Sequence, residues 1–216
     1  MKEVVFSGHQ PNFLPYMGIF YKIFKSDVFV FDDDVQYTSK KYMSNNGASI
    51  GHNSNIIRIG DNVGNITIPV SYEFGDKINE VRICNEKHWK KKILRTISCN
   101  YSKYPCFDLG YSLLEEAFSR DYDKLYDLNR YLLDEIIKGF NFKAKIVTAS
   151  IDVPTELKSN DRNIFQCKTL GGTVYYSGAG GGKEYNDEEA YKANGIKLVY
   201  NDFKPCLLYT SPSPRD

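Results

Sequence analysis

The feature that most constrains this chain is its opening. Two apolar runs, residues 4–7 and 27–32, are separated by a loop that cannot be helical and a segment that can. Pro11 and Pro15 keep residues 8–15 out of a helix, because proline lacks an N–H donor and restricts the residue before it. Ile19, Phe20, Ile23 and Phe24 then fall on one helical face within residues 18–25. Val28, Phe29, Val30 and Phe31 follow without a polar break, as expected of a buried strand. Strand, loop, helix and strand within ~30 residues predict a βαβ unit with a parallel pair and a right-handed crossover.

The rest of the chain extends this pattern. Residues 33–80 are rich in Asn, Ser, Gly and Asp, with short β-prone runs at 56–59 and 66–70 and a hairpin connection expected at 61–64. From residue 86 the period becomes helical. Trp89, Ile93 and Ile97 share one face, Leu113, Leu114, Ala117 and Phe118 a second, and Leu125, Leu128, Leu132, Leu133 and Ile136 a third. The cations Lys90, Lys91, Lys92 and Arg95 lie on the far side of the first of these helices and read as a solvated face. After residue 144 strands alternate with helices again. Gly171 and Gly195 serve as helix stops, and Asn186 with Glu189 forms a capping box. The expected fold class is α/β: a three-layer, mostly parallel sheet with a small antiparallel β insert and a central helical segment. No repeat or linker divides residues 1–205, which reads as a single domain. Residues 206–216 (CLLYTSPSPRD) share no pattern with what precedes them and resemble a translated sequencing-adapter read-through, so a non-native tail is expected there.

Charge narrows the function classes. Lys and Arg total 28 against 27 for Asp and Glu. Duplex nucleic acid selects for a basic excess, because phosphate neutralisation drives that binding, so none is expected as a partner. The five cysteines, an odd number without a CxxC pair, fit neither a disulfide framework nor a zinc site and read as reduced thiols. No stretch reaches membrane-spanning length and the N-terminus lacks a signal-type apolar region, so a cytoplasmic location is expected. No pattern specifies an oligomeric state.

In parallel α/β sheets ligands bind beyond the carboxyl ends of the strands, and three loops leave such ends. The first, residues 8–15, offers His9, Gln10 and Asn12 on a proline-stiffened path. Histidine titrates near neutral pH and amides both donate and accept. The plain alternative is a histidine that caps its own loop. The second holds Asp32, Asp33, Asp34, Gln36 and Tyr37. Adjacent carboxylates repel, and a divalent cation such as Mg²⁺, a basic partner or protonation of one member relieves the repulsion. Since an extended chain cannot point three successive side chains one way, at most two face a site; the plain alternative is a strand ending in solvent. The third runs from Ser177 through Gly178, Gly180 and Lys183 to Tyr185. Glycines allow a backbone to approach an anion closely, so phosphate contact is the expectation and a surface loop the alternative. This loop is neither a Walker A loop nor GxGxxG.

HQPNFLPYMGIF at residues 9–20, DVFVFDDDVQY at 27–37, IPV at 68–70, YSGAGGGKEY at 176–185 and NDFK at 201–204 together resemble the WbqC-like protein family. The resemblance implies a bacterial protein associated with O-antigen or other surface-polysaccharide clusters, with a transferase role on sugar nucleotides as the expectation. After Tyr37 the chain departs from the family's Trp-Gln-Asn-Arg-Asn tendency: Tyr42-Met43-Ser44-Asn45-Asn46 stands there without the arginine, so the basic contact that the resemblance implies is either absent or supplied by Lys40 or Lys41.

Two functional expectations result. In the first, an enzyme transfers a group on a sugar nucleotide or related phosphorylated small molecule. His9 acts as general acid or base, Asp33 and Asp34 bind hydroxyls, an amine or Mg²⁺, and residues 178–183 hold phosphate. The opening's element order is also similar to that of nucleotidyltransferases, which admits adenylate chemistry. In the second, the protein is non-catalytic and binds a glycan or scaffolds glycan enzymes. A covalent route through Cys167 or Cys99 is the weakest reading, since both sit on apolar helical faces and read better as core thiols.

Overall fold

The computed structural model describes residues 2–38, 42–43, 49–86, 88–178 and 181–203. Lys40, Lys41, Ser44, Asn45, Asn46, Gly180 and residues 206–216, each singled out above, lie outside the described residues. In chain order the elements begin with β1 (Val5–His9), α1 (Met17–Phe24) and β2 (Val28–Phe31). Six short strands follow: β3 (Tyr42–Met43), β4 (Ser49–Ile50), β5 (Ser54–Ile59), β6 (Asn62–Thr67), β7 (Val70–Ser71) and β8 (Arg82–Ile83). Then come α2 (Trp89–Tyr101), α3 (Phe107–Ser119) and α4 (Leu125–Gly139). The alternation resumes with β9 (Lys145–Thr148), α5 (Ala149–Asp152), α6 (Ser159–Thr169) and β10 (Val174–Ser177). It ends with α7 (Gly181–Tyr185), α8 (Glu188–Ala193) and β11 (Lys197–Tyr200).

By contact the chain groups into two compact units. A sheet unit comprises Met1–His9, Tyr16–Asp32 and Phe142–Asp216, and a helical unit comprises Gln10–Pro15 and Asp33–Asn141. The boundaries fall between consecutive residues of motifs, with no linker to mark them.

The sheet unit is α/β. Its strands lie in the order β11-β10-β1-β2-β9, and every neighbouring pair is parallel. The expected βαβ opening is present, with β1 and β2 in register from Phe6↔Val28 to His9↔Phe31. One face packs Phe6, Val28, Val30, Val147 and Tyr175 with Ile164 and Cys167 of α6 and Tyr191 of α8. The alternate residues Ser7, Phe29, Phe31 and Tyr176 are buried too, which is why these strands read as unbroken apolar runs. Burying each phenylalanine contributes about 1.5–3 kcal/mol. Within α1 the inner side differs from the expected face: Ile19, Phe20, Lys22 and Ile23 are buried, whereas Phe24 is 61 % exposed beside Met17 and Tyr21 on the outer row. The last helix also starts one residue later than its capping box suggested. Asp187 caps α8 by accepting from the Ala190 N–H, while Asn186 donates to Ser177 Oγ. Gly171 and Gly195 do end α6 and α8, at φ +75° and +71°.

Among the described residues, the helical unit holds three antiparallel strand pairs and α2–α4. The β5–β6 turn is Gly60-Asp61, with Gly60 at φ +59°, rather than the expected 61–64, because glycine takes the left-handed position that a tight hairpin needs. The apolar run 66–70 is split by Pro69, whose missing N–H ends one ladder before Val70 opens the next. Trp89, Ile93, Leu114, Ala117, Phe118, Leu125, Leu128 and Leu132 form the core with Ile66, Ile68, Ile78 and Val81.

Two glycines give opposite expectations. A Cβ on Gly172 would lie 2.7 Å from Cys167 Sγ and 2.8 Å from Phe6 Cβ. Gly172→Ala is therefore expected to destabilise by about 1–3 kcal/mol. A Cβ on Gly110, inside α3, meets nothing within 4 Å. Gly110→Ala is expected to stabilise by about 0.5–1 kcal/mol. Urea unfolding measures both.

Candidate functional site

The sheet's strand order sets where a ligand can sit. From β1 the chain moves outward through β2 to β9, then returns to the other side of β1 for β10 and β11. The direction reverses between β1 and β10, the kind of switch point beyond which open α/β sheets bind ligands. The last residues of these strands are His9 and Ser177.

One step beyond β2, Asp32 continues the Val28, Val30 alternation and faces α6. Its Oδ1 accepts from Arg162 Nε (3.2 Å) and Nη2 (3.1 Å) and from Gln166 Nε2 (2.9 Å). Arg162 and Gln166 stand one turn apart on α6, so both reach the same oxygen. The pair is largely withdrawn from water, with side-chain exposures of 8 % for Arg162 and 15 % for Asp32. Gly8 lies alongside: a Cβ there would come 3.2 Å from Asp32 Oδ2, closer than ordinary packing allows. Tyr175 shares this face, and burial, then Tyr191 and Asp32, hold its phenol well above the usual range. On the other face Lys22 is buried and donates from Nζ to the Gly8 carbonyl (2.8 Å).

Of the described residues marked in the sequence, His9, Asp32, Ser177, Gly178, Lys183 and Tyr185 fall in the sheet unit. The His9 carbonyl accepts from the Asp32 N–H (3.0 Å), and by strand alternation its ring goes with Ser7 rather than with Phe6 and Gly8. Ser177 is buried and its Oγ accepts from Asn186. A Cβ on Gly178 would meet open space. Lys183 Nζ lies 5.5 Å from the Tyr200 ring centroid, and Tyr185 is 76 % exposed.

Gln10, Asn12, Asp33, Asp34, Gln36 and Tyr37 fall in the helical unit. The aspartate triplet is thus split between units after Asp32. Asp33 is buried and engaged at two points by Asn79, through Oδ2 and through its carbonyl (both 3.0 Å). Asp34 is half-buried, and Gln36 forms an isolated bridge with Lys77. Gln10 and Tyr37 both meet His52, which is fully buried. The Thr38 N–H donates to His52 Nδ1 (3.0 Å), so Nε2 carries the hydrogen and donates to Gln10 Oε1 (3.1 Å). The His52 carbonyl accepts from the Phe13 N–H and from Asn129 Nδ2, which also reaches the Pro11 carbonyl. Tyr37 packs on His52 and Tyr72, and burial pushes its phenol upward. Asn12 is buried beside this network. Among the described residues no group of three His, Cys, Asp or Glu side chains could hold a metal ion.

Sequence reasoning missed Arg162, Gln166, His52 and Asn129. The signals that could have found the first pair are the alternation placing Asp32 with Val28 and Val30, and the four-residue spacing on α6. His52 carries no such signal, because its partners are 14 and 42 residues away. The core-thiol reading holds for Cys167, which is buried and pushed up to about 12, and fails for Cys99, which α2 leaves exposed to solvent. A thiol at that value is almost wholly protonated near neutral pH.

The WbqC-like protein family matches residues 10–214. A curated relative, "Uncharacterized protein Rv1507c" of Mycobacterium tuberculosis, is 27% identical over 197 residues, covering 90% of this chain and 80% of its own. No solved structure matches at a significant level. No helix among the described residues is long and apolar enough to cross a membrane.

Removing one partner of a buried ion pair leaves the other charge uncompensated. Asp32→Ala is therefore expected to cost about 3–5 kcal/mol in urea unfolding, and pairing Asp32→Leu with Arg162→Met to recover part of that loss. In thiol labelling at pH 8, Cys99 and Cys106 are expected to react in the folded protein and Cys167 only on unfolding.

Proposed function

We propose, for a chain that belongs to the WbqC-like protein family, that it transfers a group on a sugar nucleotide or a related phosphorylated small molecule during assembly of a bacterial surface polysaccharide of the O-antigen kind. The observation that carries this reading is the reversal of strand order between β1 and β10, with His9 ending β1 and Gly178 following β10 at the crevice proposed there. Such a crevice takes small polar ligands, and a near-neutral chain has no charge excess to draw a long polyanion.

In this reading the donor's phosphates lie against the backbone at Gly178, where glycine permits close approach, and Lys183 of α7 supplies the positive charge. His9 accepts the proton of the attacking group and later returns it to the leaving group. Asp32, fixed by Arg162 and Gln166 on the sheet face of Gly8 and opposite the His9 ring, anchors the end of β2 and takes no part in the proton transfer. Asp33 is left out of the chemistry, since Asn79 engages it as a structural bracket.

Mass spectrometry of purified protein with candidate sugar nucleotides and acceptors is expected to show turnover. His9→Ala is expected to abolish it, by roughly 10²-fold or more, without moving the melting temperature. Binding without turnover, unchanged in His9→Ala, is instead the result for a non-catalytic glycan-binding or scaffolding protein.

A further inference from the structure

The outer row of α1 carries aromatic side chains that the sheet's core does not use. Tyr16 is 62 % exposed and Phe24 61 %, while Tyr21, Phe142 and Phe203 are half-buried. Their rings form one chain. Centroids are 6.3 Å apart from Tyr16 to Phe203, 5.3 Å from Phe203 to Tyr21, 6.4 Å from Tyr21 to Phe24 and 6.0 Å from Phe24 to Phe142. The strip draws on three separate stretches of sequence, all within the sheet unit. Gly18 is shaped for it: a Cβ at that position would come 2.2 Å from the Tyr16 ring, so the ring lies across a bare Cα. A glycine in a helix costs about 0.5–1 kcal/mol relative to alanine, and here it lets the first ring of the strip lie flat.

Polar groups punctuate the rings. Exposed Asp202 accepts through Oδ1 from Tyr21 Oη (3.3 Å) and Tyr176 Oη (3.2 Å), and neither phenol uses Oδ2. Lys25 Nζ sits 5.3 Å from the Tyr21 centroid.

Rings kept in water at this density mark a binding surface, since singly scattered apolar residues need no explanation but a contiguous row does. A nucleic-acid strand also stacks on aromatic rows, but it requires a cationic groove along them. Here Lys25 is offset by Asp202. Flat apolar faces alternating with a carboxylate and a phenol match a neutral polyhydroxylated chain, whose sugar rings present C–H faces to aromatics and hydroxyls to acceptors. We propose that the strip Tyr16, Phe203, Tyr21, Phe24 and Phe142 binds a neutral oligosaccharide, with sugar faces on the rings and sugar hydroxyls on Asp202 and Tyr21. The strip is argued from its own surface, goes beyond the group-transfer reading and can hold or fail without it.

The test is a titration of the full chain with chitohexaose and maltohexaose, read by saturation-transfer NMR, with heparin as a polyanionic probe. At least one hexaose is expected to bind at millimolar concentration or below, and heparin not to bind. Tyr16→Ala and Phe24→Ala replace exposed rings at small cost in stability. Each is expected to weaken binding roughly tenfold, the size of a lost stacking contact. Gly18→Ala, which displaces the Tyr16 ring, is expected to do the same. No transfer from either hexaose, or binding unchanged in both ring variants, overturns the proposal. Dimerisation that the ring variants abolish, with no hexaose bound, overturns it as well and assigns the strip to self-association. Turnover is not read in this experiment, so its outcome is distinct from that of the catalytic test.

Discussion

The buried pair between Asp32 and Arg162 is the interaction that ties the carboxyl end of β2 to α6. Withdrawing two charges from water costs several kcal/mol per ion, and only good geometry with further hydrogen bonds offsets that cost. Here three donors converge on one carboxylate oxygen, two from the guanidinium and one from Gln166. The consequence is positional. The end of β2 is tied to α6, so the helix cannot slide along the sheet without exposing or stranding a charge. Tyr175 and Gly8 sit against the same carboxylate and inherit that fixity.

The helical unit solves a related problem without an ion pair. Residues 10–15 form no regular element, yet they are held on several sides. His52 and Asn129 satisfy Gln10, Pro11 and Phe13, and Asn55 Nδ2 donates to the Leu14 carbonyl. Leu14 sits at φ +44°, a conformation costing about 1–3 kcal/mol for a residue with a side chain. Such strain persists only where surrounding bonds over-determine the backbone. The prolines that signal a non-helical loop therefore do only part of the work, and a buried histidine far along the chain does the rest.

What was legible follows from which signals are local. The parallel strands were readable because burial on both faces removes the polar alternation, and the α2–α4 helices because their apolar period persists over more than three turns. The two glycine stops were readable because only glycine takes that backbone region cheaply. Boundaries were less so. Pro69 split one expected strand, the hairpin turn moved to Gly60, and the α8 cap moved from Asn186 to Asp187. In the last case both residues are good caps, and the bond of Asn186 to Ser177 decided between them. The candidate site was legible as loops but not as partners: the glycine run and His9 could be marked by type, whereas Arg162 lies 130 residues from the carboxylate it holds.

Sequence alone determined the α/β class, the parallel opening and the loops that leave the strand ends, because each follows from residue type and period within a single stretch of chain. Only the tertiary structure decided which of three successive aspartates faces α6, that its neighbours Asp33 and Asp34 belong to the other compact unit, and that rings from three stretches align along α1. Those outcomes depend on long-range packing and on the exchange of water for protein partners. A charge or a ring acquires its role from what burial places beside it, and the chain's linear order does not carry that information.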